Sequence, residues 1–173
     1  MLKNITRIEE FLLLSIPIVL VSGPFLPDLA LSIMSIIFLI KKFYNREFNV
    51  YALDYFGKFF FLWCLYLILR SALSDDPLLS FESSLFFFRF GVFAYAVKSI
   101  IERNPNILKK LFIVILIMIA LVTLDGLIQF IFGQNFLGYN YDGNRLSLFN
   151  ETKLIGHYLA RLSPLLLAIG LLY

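Results

Sequence analysis

Apolar residues of this chain come in long runs that are separated by short polar segments. The run 111–132 contains a single charged residue, Asp125, and the run 11–40 contains only Asp28. A run of about 20 apolar residues is long enough to cross the hydrocarbon core of a bilayer as an α-helix. The pattern therefore predicts an all-α fold, a polytopic bundle of transmembrane helices.

The first run, 11–40, is too long for one span and short for two. It contains Gly23, Pro24 and Pro27, followed by Asp28, and a helix is expected to stop in this segment. We interpret the run as two short helices, which form either a hairpin of two full spans or a re-entrant hairpin. Both arrangements return the chain to the side from which it started.

Four further spans are expected, which makes about six in all. An acidic turn, Ser74-Asp75-Asp76-Pro77, separates the first two of these four, and a loop at 134–153 separates the last two. Polar connections are expected at 43–57 and 104–110. The four spans are predicted at about 58–72, from about 82 to 98–103, at 111–132 and from 154 onward.

Basic residues accumulate on one side of this arrangement. Loops rich in Lys and Arg stay in the cytoplasm, so the N-terminus is predicted to be cytoplasmic. Because these residues lie in short loops between apolar runs, they report topology and do not indicate nucleic-acid binding. The segments assigned to the cytoplasm hold Lys3, Arg7, Lys41, Lys42, Arg46, Lys58, Lys98, Arg103, Lys109 and Lys110, whereas the outer loops hold Arg145 and Lys153.

The composition agrees with a membrane location. Hydrophobic residues make up 60% of the 173 positions and the mean hydropathy is +0.85, whereas soluble domains are about 45–50% apolar. We interpret 1–173 as a single transmembrane domain, and expect it to be the N-terminal half of a longer membrane protein. The one cysteine, Cys64, matches no disulfide or zinc spacing, and the sequence contains no motif for a metal or another cofactor.

Three ionisable residues are expected at one depth in the membrane. Arg89, Asp125 and Arg161 each lie roughly 10–12 Å inside the outer boundary, at a rise of about 1.5 Å per residue. Placing a charged side chain within the bilayer costs about 2.5–3.5 kcal/mol, so such a side chain usually faces an oppositely charged partner or a water-filled cavity. We therefore expect a cationic pocket that is open to the outside, with Asp125 as counter-ion and phosphate as a suitable ligand. The alternative is that the arginines pair with Asp125 only to fix helix packing.

Two further predictions concern the orientation of polar side chains. His157, Arg161 and Pro164 are spaced to share one face of the last helix, and this face is expected to point into the bundle. Arg70, about one turn inside the third span, is expected to extend to the membrane interface instead.

The region from Asp125 onward also carries a loose pattern of polar and glycine positions. Its residues are Asp125, Gln129, Gly133, Gly138, Arg145, Leu146, Ser147, Phe149, Glu151, Gly156, His157, Tyr158, Leu159, Ala160, Arg161 and Pro164. Together with the acidic turn and the Gly-Pro hairpin tip, this pattern resembles the O-antigen ligase and O-antigen polymerase family of bacterial membrane glycosyltransferases. The resemblance covers essentially this whole chain but only the front half of a typical member.

Membership of that family implies a multi-pass protein of the bacterial inner membrane that needs no metal. Its substrate is a glycan linked to undecaprenyl diphosphate, transferred at the periplasmic face during lipopolysaccharide or cell-surface polysaccharide synthesis. The family's proposed catalytic histidine lies in a later periplasmic loop, which is absent here and which His157 does not match. We therefore expect this chain to be inactive alone. Ligase and polymerase both remain open, as do a transporter or flippase fragment and a non-catalytic scaffold.

The resemblance also implies roles for individual residues. The lipid diphosphate would contact Arg145 and Arg161, with Arg89 as the next candidate. The residues that would orient these arginines or balance their charge are Asp125, Gln129 and Glu151. The expected partners are thus the lipid bilayer and the lipid-linked glycan, and the sequence indicates no oligomeric state.

Overall fold

The computed structural model describes residues 2–45, 54–141, 143, 146–147 and 155–172. Within these ranges every regular element of secondary structure is a helix and no strand occurs, which confirms the all-α prediction. A short 3-10 helix, Leu20–Ser22, follows the first α-helix. The α-helices are α1 Leu2–Val19, α2 Phe25–Asn45, α3 Tyr55–Ala72, α4 Pro77–Leu85, α5 Phe88–Arg103, α6 Asn106–Phe132 and α7 Ile155–Gly170.

Three helical stretches of the described chain are long and apolar enough to cross a membrane. They are α3, the stretch Pro77–Arg103 that comprises α4 and α5, and α6. The helix α7 is apolar but shorter. The chain therefore has the character of a membrane helix protein, while the count of six spans and the cytoplasmic N-terminus stay predictions.

The first apolar run forms two helices, as predicted, but the break between them is short. The helix α2 already begins at Phe25, so Pro27 and Asp28 lie in its first turn. Proline is tolerated in a first turn because the N–H it lacks has no helical acceptor there. A carboxylate at this end of a helix also interacts favourably with the helix dipole.

Several predicted boundaries were wrong because the helices continue past charged residues. The helix α6 begins at Asn106, where a basic loop to residue 110 was predicted, and α4 begins at Pro77 and not near residue 82. Lys and Arg are good helix formers, so a charge marks the end of an apolar run without ending the helix. Only Phe86 and Phe87 separate α4 from α5.

An aspartate caps the beginning of α3. The Asp54 carboxylate accepts a hydrogen bond of 2.9 Å from the backbone N–H of Phe56, and its other oxygen lies 3.1 Å from the Lys98 ammonium of α5. The hydrogen bond from the Phe56 N–H lowers the pKa of Asp54 below its ordinary value, and the neighbouring Lys98 ammonium lowers it further by a smaller amount. These contacts connect the beginning of α3 to the C-terminal half of α5.

The chain divides into two compact units. One contains Met1–Ala30 and Ile100–Tyr173, and the other contains Leu31–Ser99. In the first unit, α6 packs against both α1 and α7. Its core is formed by Val21, Leu111, Ile115, Met118, Val122, Tyr158, Leu162 and Ile169.

In the second unit, α3 packs against α4 and also approaches α5 closely. The ring of Phe60 on α3 lies so near Gly91 on α5 that a side chain at this position would overlap it. Small residues allow such close approach between membrane helices. The hydroxyl of Ser35 on α2 donates a 3.2 Å hydrogen bond to the carbonyl of Arg89 on α5.

A buried tyrosine connects α7 to α1 in the first unit. The Tyr158 hydroxyl donates a 2.7 Å hydrogen bond to the carbonyl of Pro17, one of the last four carbonyls of α1, which lack α-helical partners. We expect Tyr158→Phe to lower the free energy of unfolding by about 1–2 kcal/mol, because a buried carbonyl loses its donor. Thermal or detergent-induced unfolding of the purified protein measures this change.

Tyr141→Phe is the matched control for that substitution. It removes a hydroxyl that donates to the Gly143 carbonyl at an exposed position, where water replaces the lost partner. An equal effect of the two substitutions would contradict a specific role for the Tyr158–Pro17 bond.

Candidate functional site

One face of α6 is buried along its whole length and becomes polar near its end. The apolar residues Leu111, Ile115, Met118 and Val122 occupy this face, and Asp125 and Gln129 continue it at the same spacing. Asp125 is 1% exposed and Gln129 is 0% exposed. A buried polar side chain requires hydrogen-bond partners, so the structure around these two residues has to supply them.

The loop that follows α6 is folded tightly upon itself. Gly133 ends the helix in the left-handed conformation, with φ 79°, and its carbonyl accepts a 2.7 Å hydrogen bond from the backbone N–H of Tyr141. Inside the loop, the Asn135 side chain accepts hydrogen bonds from the backbone N–H groups of Leu137 at 3.1 Å and Tyr139 at 2.8 Å. We call residues 133–141 the α6 loop.

Asp125 and Gln129 hold the α6 loop through its backbone. A carboxylate oxygen of Asp125 accepts a 3.0 Å hydrogen bond from the N–H of Phe136, and the Gln129 amide donates a 3.0 Å bond to the carbonyl of Tyr139. The Gln129 carbonyl oxygen accepts a 2.8 Å bond from the N–H of Ser147, a residue that is 2% exposed. The amide thus joins two parts of the connection between α6 and α7.

A glycine on α6 permits the chain to return closely over the helix. A side chain on Gly126 would meet the Ile155 Cδ1 atom at 3.0 Å and the Leu146 Cδ1 atom at 3.5 Å. Gly126 is next to Asp125 and is itself buried. The segment around Leu146 and Ser147 is therefore fixed by two features of α6, the amide of Gln129 and the close approach at Gly126.

The structure brings Asp125 and Gln129 together, but it does not place Arg161 beside them. Arg161 and His157 lie on an exposed face of α7, so the prediction that this face points into the bundle was wrong. The packed face of α7 instead carries Tyr158, Leu162 and Ile169. Burying these three large side chains against α6 decides how α7 is rotated.

The partners of Asp125 also differ from those expected. In the described part of the chain, no ion pair connects Asp125 with Arg161, and the carboxylate accepts from the Phe136 backbone. Asp125 therefore acts first as a loop anchor, and its role as counter-ion stays a prediction.

The remaining predicted residues are distributed as follows. Arg89 belongs to the other unit, where it is half-buried with its guanidinium carbon 5.3 Å from the centre of the Phe90 ring. Arg145 and Glu151 lie outside the described residues. Arg161 belongs to the first unit, so the diphosphate site that groups it with Arg89 stays a prediction.

Sequence reasoning assigned no role to two residues of this region. Asn135 organises the α6 loop, and Ser147 contributes the buried N–H that Gln129 binds. Asn135 was recognisable in principle, because asparagine a few positions before a glycine often bonds its own backbone in a turn. The contact of Ser147 spans 18 residues, and no local pattern indicates it.

Comparison of the chain with protein-family models, with curated proteins and with solved structures finds no match. Among the described residues, no group of three or more His, Cys, Asp or Glu side chains is placed to hold a metal ion. The candidate site consists of a buried polar anchor on α6, a loop fixed by it, and an exposed arginine on α7.

Proposed function

We propose that this chain is a membrane protein of the O-antigen ligase and polymerase type, with six spans and a cytoplasmic N-terminus. It contributes to the transfer of a glycan from undecaprenyl diphosphate at the periplasmic face of the bacterial inner membrane. In this proposal the chain supplies residues that bind the lipid diphosphate.

The observation that supports this proposal is the anchored connection between α6 and α7. Asp125 and Gln129 bind three backbone groups of the connection, at Phe136, Tyr139 and Ser147. In the sequence, Arg145 comes two positions before Ser147 and directly before Leu146. In this proposal the anchored backbone groups flank the diphosphate-binding Arg145 in the sequence, and a binding site needs such fixed groups around it.

The exposure of Arg161 fits the same function. A lipid diphosphate gains negative charge as it leaves the glycan, and positioned guanidinium groups stabilise that charge. Arg161 is exposed on α7, whereas Asp125 is 1% exposed. In this proposal Arg145 and Arg161 contact the diphosphate, Arg89 is a third contact, and Glu151 orients an arginine.

Binding of a polyprenyl diphosphate to the purified, detergent-solubilised protein tests the proposal. We expect Arg145→Ala and Arg161→Ala each to weaken binding about tenfold or more, the effect of losing a charge-assisted hydrogen bond. Lys110→Ala is the matched control, because Lys110 is exposed at the beginning of α6. It is expected to leave binding unchanged.

Failure of the folded wild-type protein to bind would overturn the proposal and leave a scaffold or a transporter fragment. Equal weakening by Lys110→Ala would show that the protein attracts the anion by net charge alone. Thermal unfolding of each variant separates a loss of binding from a loss of folding.

A further inference from the structure

A second polar site lies in the other unit, where α3 turns into α4. The turn between Ala72 and Pro77 and the adjoining ends of both helices line an open cavity of about 410 Å³. Pockets of about 300–1,000 Å³ are typical of small-molecule sites. This cavity is lined by Arg70, Ser71, Leu73, Ser74, Asp75 and Ser80.

The serines form a connected cluster on one side of the cavity. The Ser74 and Ser80 hydroxyls are 2.7 Å apart, and the Ser71 hydroxyl donates a 3.3 Å bond to the Ser80 carbonyl. Ser71 is buried and the other two are half-buried. The hydroxyls are therefore held in place and retain lone pairs for a further donor.

Opposite charges line the same cavity without neutralising each other. In the described part of the chain, neither Arg70 nor Asp75 is joined to another residue by an ion pair. Oppositely charged groups that share a cavity but do not pair offer contacts to a ligand that itself carries both charges. A simple anion would contact Arg70 and be repelled by Asp75.

The depth of the cavity restricts the kind of ligand. The helix α3 is one of the three stretches able to cross a membrane, and Arg70 is the third residue from its end. The cavity therefore lies at the end of a membrane-spanning helix, where the polar headgroups of lipids are found. Arginine near such a boundary directs its guanidinium toward the headgroups.

We infer that this cavity binds the zwitterionic phosphoethanolamine headgroup of a membrane phospholipid. The phosphate accepts hydrogen bonds from the Arg70 guanidinium, and the primary ammonium donates to the Asp75 carboxylate and to the serine oxygens. A trimethylated ammonium has no N–H group, so a choline headgroup loses these donor bonds. This site is independent of the proposed glycan-transfer function.

Native mass spectrometry of the full chain, taken from mixed micelles, tests the inference. The probes are phosphatidylethanolamine, phosphatidylcholine and phosphatidylglycerol with identical acyl chains, offered at equal content. We expect the wild-type protein to retain phosphatidylethanolamine about tenfold more than phosphatidylcholine, the effect of one charge-assisted hydrogen bond. Soluble glycerophosphoethanolamine in excess is expected to compete poorly, because it lacks the acyl chains that hold the lipid at the boundary.

Two variants test the contacts to the phosphate and to the ammonium of the headgroup separately. Arg70→Gln is expected to weaken retention of both zwitterionic lipids, whereas Asp75→Asn is expected to abolish the preference for ethanolamine over choline. Asp76→Asn is the control, because Asp76 is adjacent but does not line the cavity and its side chain caps no helix. Lys109→Gln is the corresponding control for loss of a positive charge at an exposed position.

Equal retention of the ethanolamine and choline lipids by the wild-type protein would overturn the inference. Preferential retention of phosphatidylglycerol would do the same, since it would indicate an ordinary anion site. Efficient competition by glycerophosphoethanolamine would assign the site to a soluble ligand. These wild-type outcomes decide the matter even where a variant fails to fold.

Discussion

Replacing Gln129 with leucine is expected to lower the free energy of unfolding by about 1.5–4.5 kcal/mol. The substitution leaves the buried N–H of Ser147 without its acceptor. It also removes one of the two donors to the Tyr139 carbonyl, which keeps its 3.1 Å hydrogen bond from the backbone N–H of Asn135. An unsatisfied buried N–H costs about 1–3 kcal/mol, and the lost bond to Tyr139 contributes about 0.5–1.5 kcal/mol. Unfolding in mixed micelles, followed by circular dichroism, measures the change.

A local measurement distinguishes loss of the anchor from a general effect on α6. Hydrogen exchange of the peptide that contains Ser147 is expected to accelerate in Gln129→Leu, because this amide loses its bond to the side chain. Gln134→Leu provides the matched control, since Gln134 is exposed at the beginning of the α6 loop. Comparable destabilisation and exchange in both variants would rule out the anchoring role of Gln129.

Replacing Arg103 with leucine is expected to destabilise the first unit by about 2–3 kcal/mol. The Arg103 guanidinium lies 2.8 Å from the Glu9 carboxylate, and the Glu9 side chain is only 6% exposed. Removing the cation leaves a buried carboxylate without this partner. Breaking a fully buried ion pair costs about 3–5 kcal/mol. The expected cost here is lower, because the Arg103 side chain is 34% exposed.

The double variant Glu9→Leu with Arg103→Leu checks this explanation. Apolar replacement of both partners removes the burial cost of the charges together with their attraction, so it is often close to neutral. We therefore expect the double variant to recover most of the stability that Arg103→Leu loses, in the same unfolding measurement. A double variant that is less stable than Arg103→Leu would mean that Glu9 stabilises the protein through other contacts.

The sequence by itself determined the fold class and the existence of most helices. Apolar runs of membrane length predict α-helices whatever surrounds them, because a helix satisfies its own backbone hydrogen bonds. The break at Gly23 and Pro24 was predictable for the same local reason, since proline and glycine act on their own turn. The first residues of α4 and α6 were not predictable in this way, because Pro77 begins a helix and Lys109 and Lys110 lie within one.

The tertiary structure decided what the polar residues do. Spacing places Asp125 and Gln129 on one face of α6, but only the folded loop shows that they bind the backbone of Phe136, Tyr139 and Ser147. A helical period specifies which residues share a face and not which face is packed. The orientation of a helix depends on the competing burial of all its faces.

The rotation of α7 and the cavity beside α3 were likewise not predictable from the sequence. Burial of Tyr158, Leu162 and Ile169 turns Arg161 toward the exposed side, although its charge alone suggested the interior. Arg70 and Asp75 share a cavity because α3 packs against α4. Local propensity acts over one or two turns, whereas these placements depend on contacts between helices, and therefore only the assembled structure determines them.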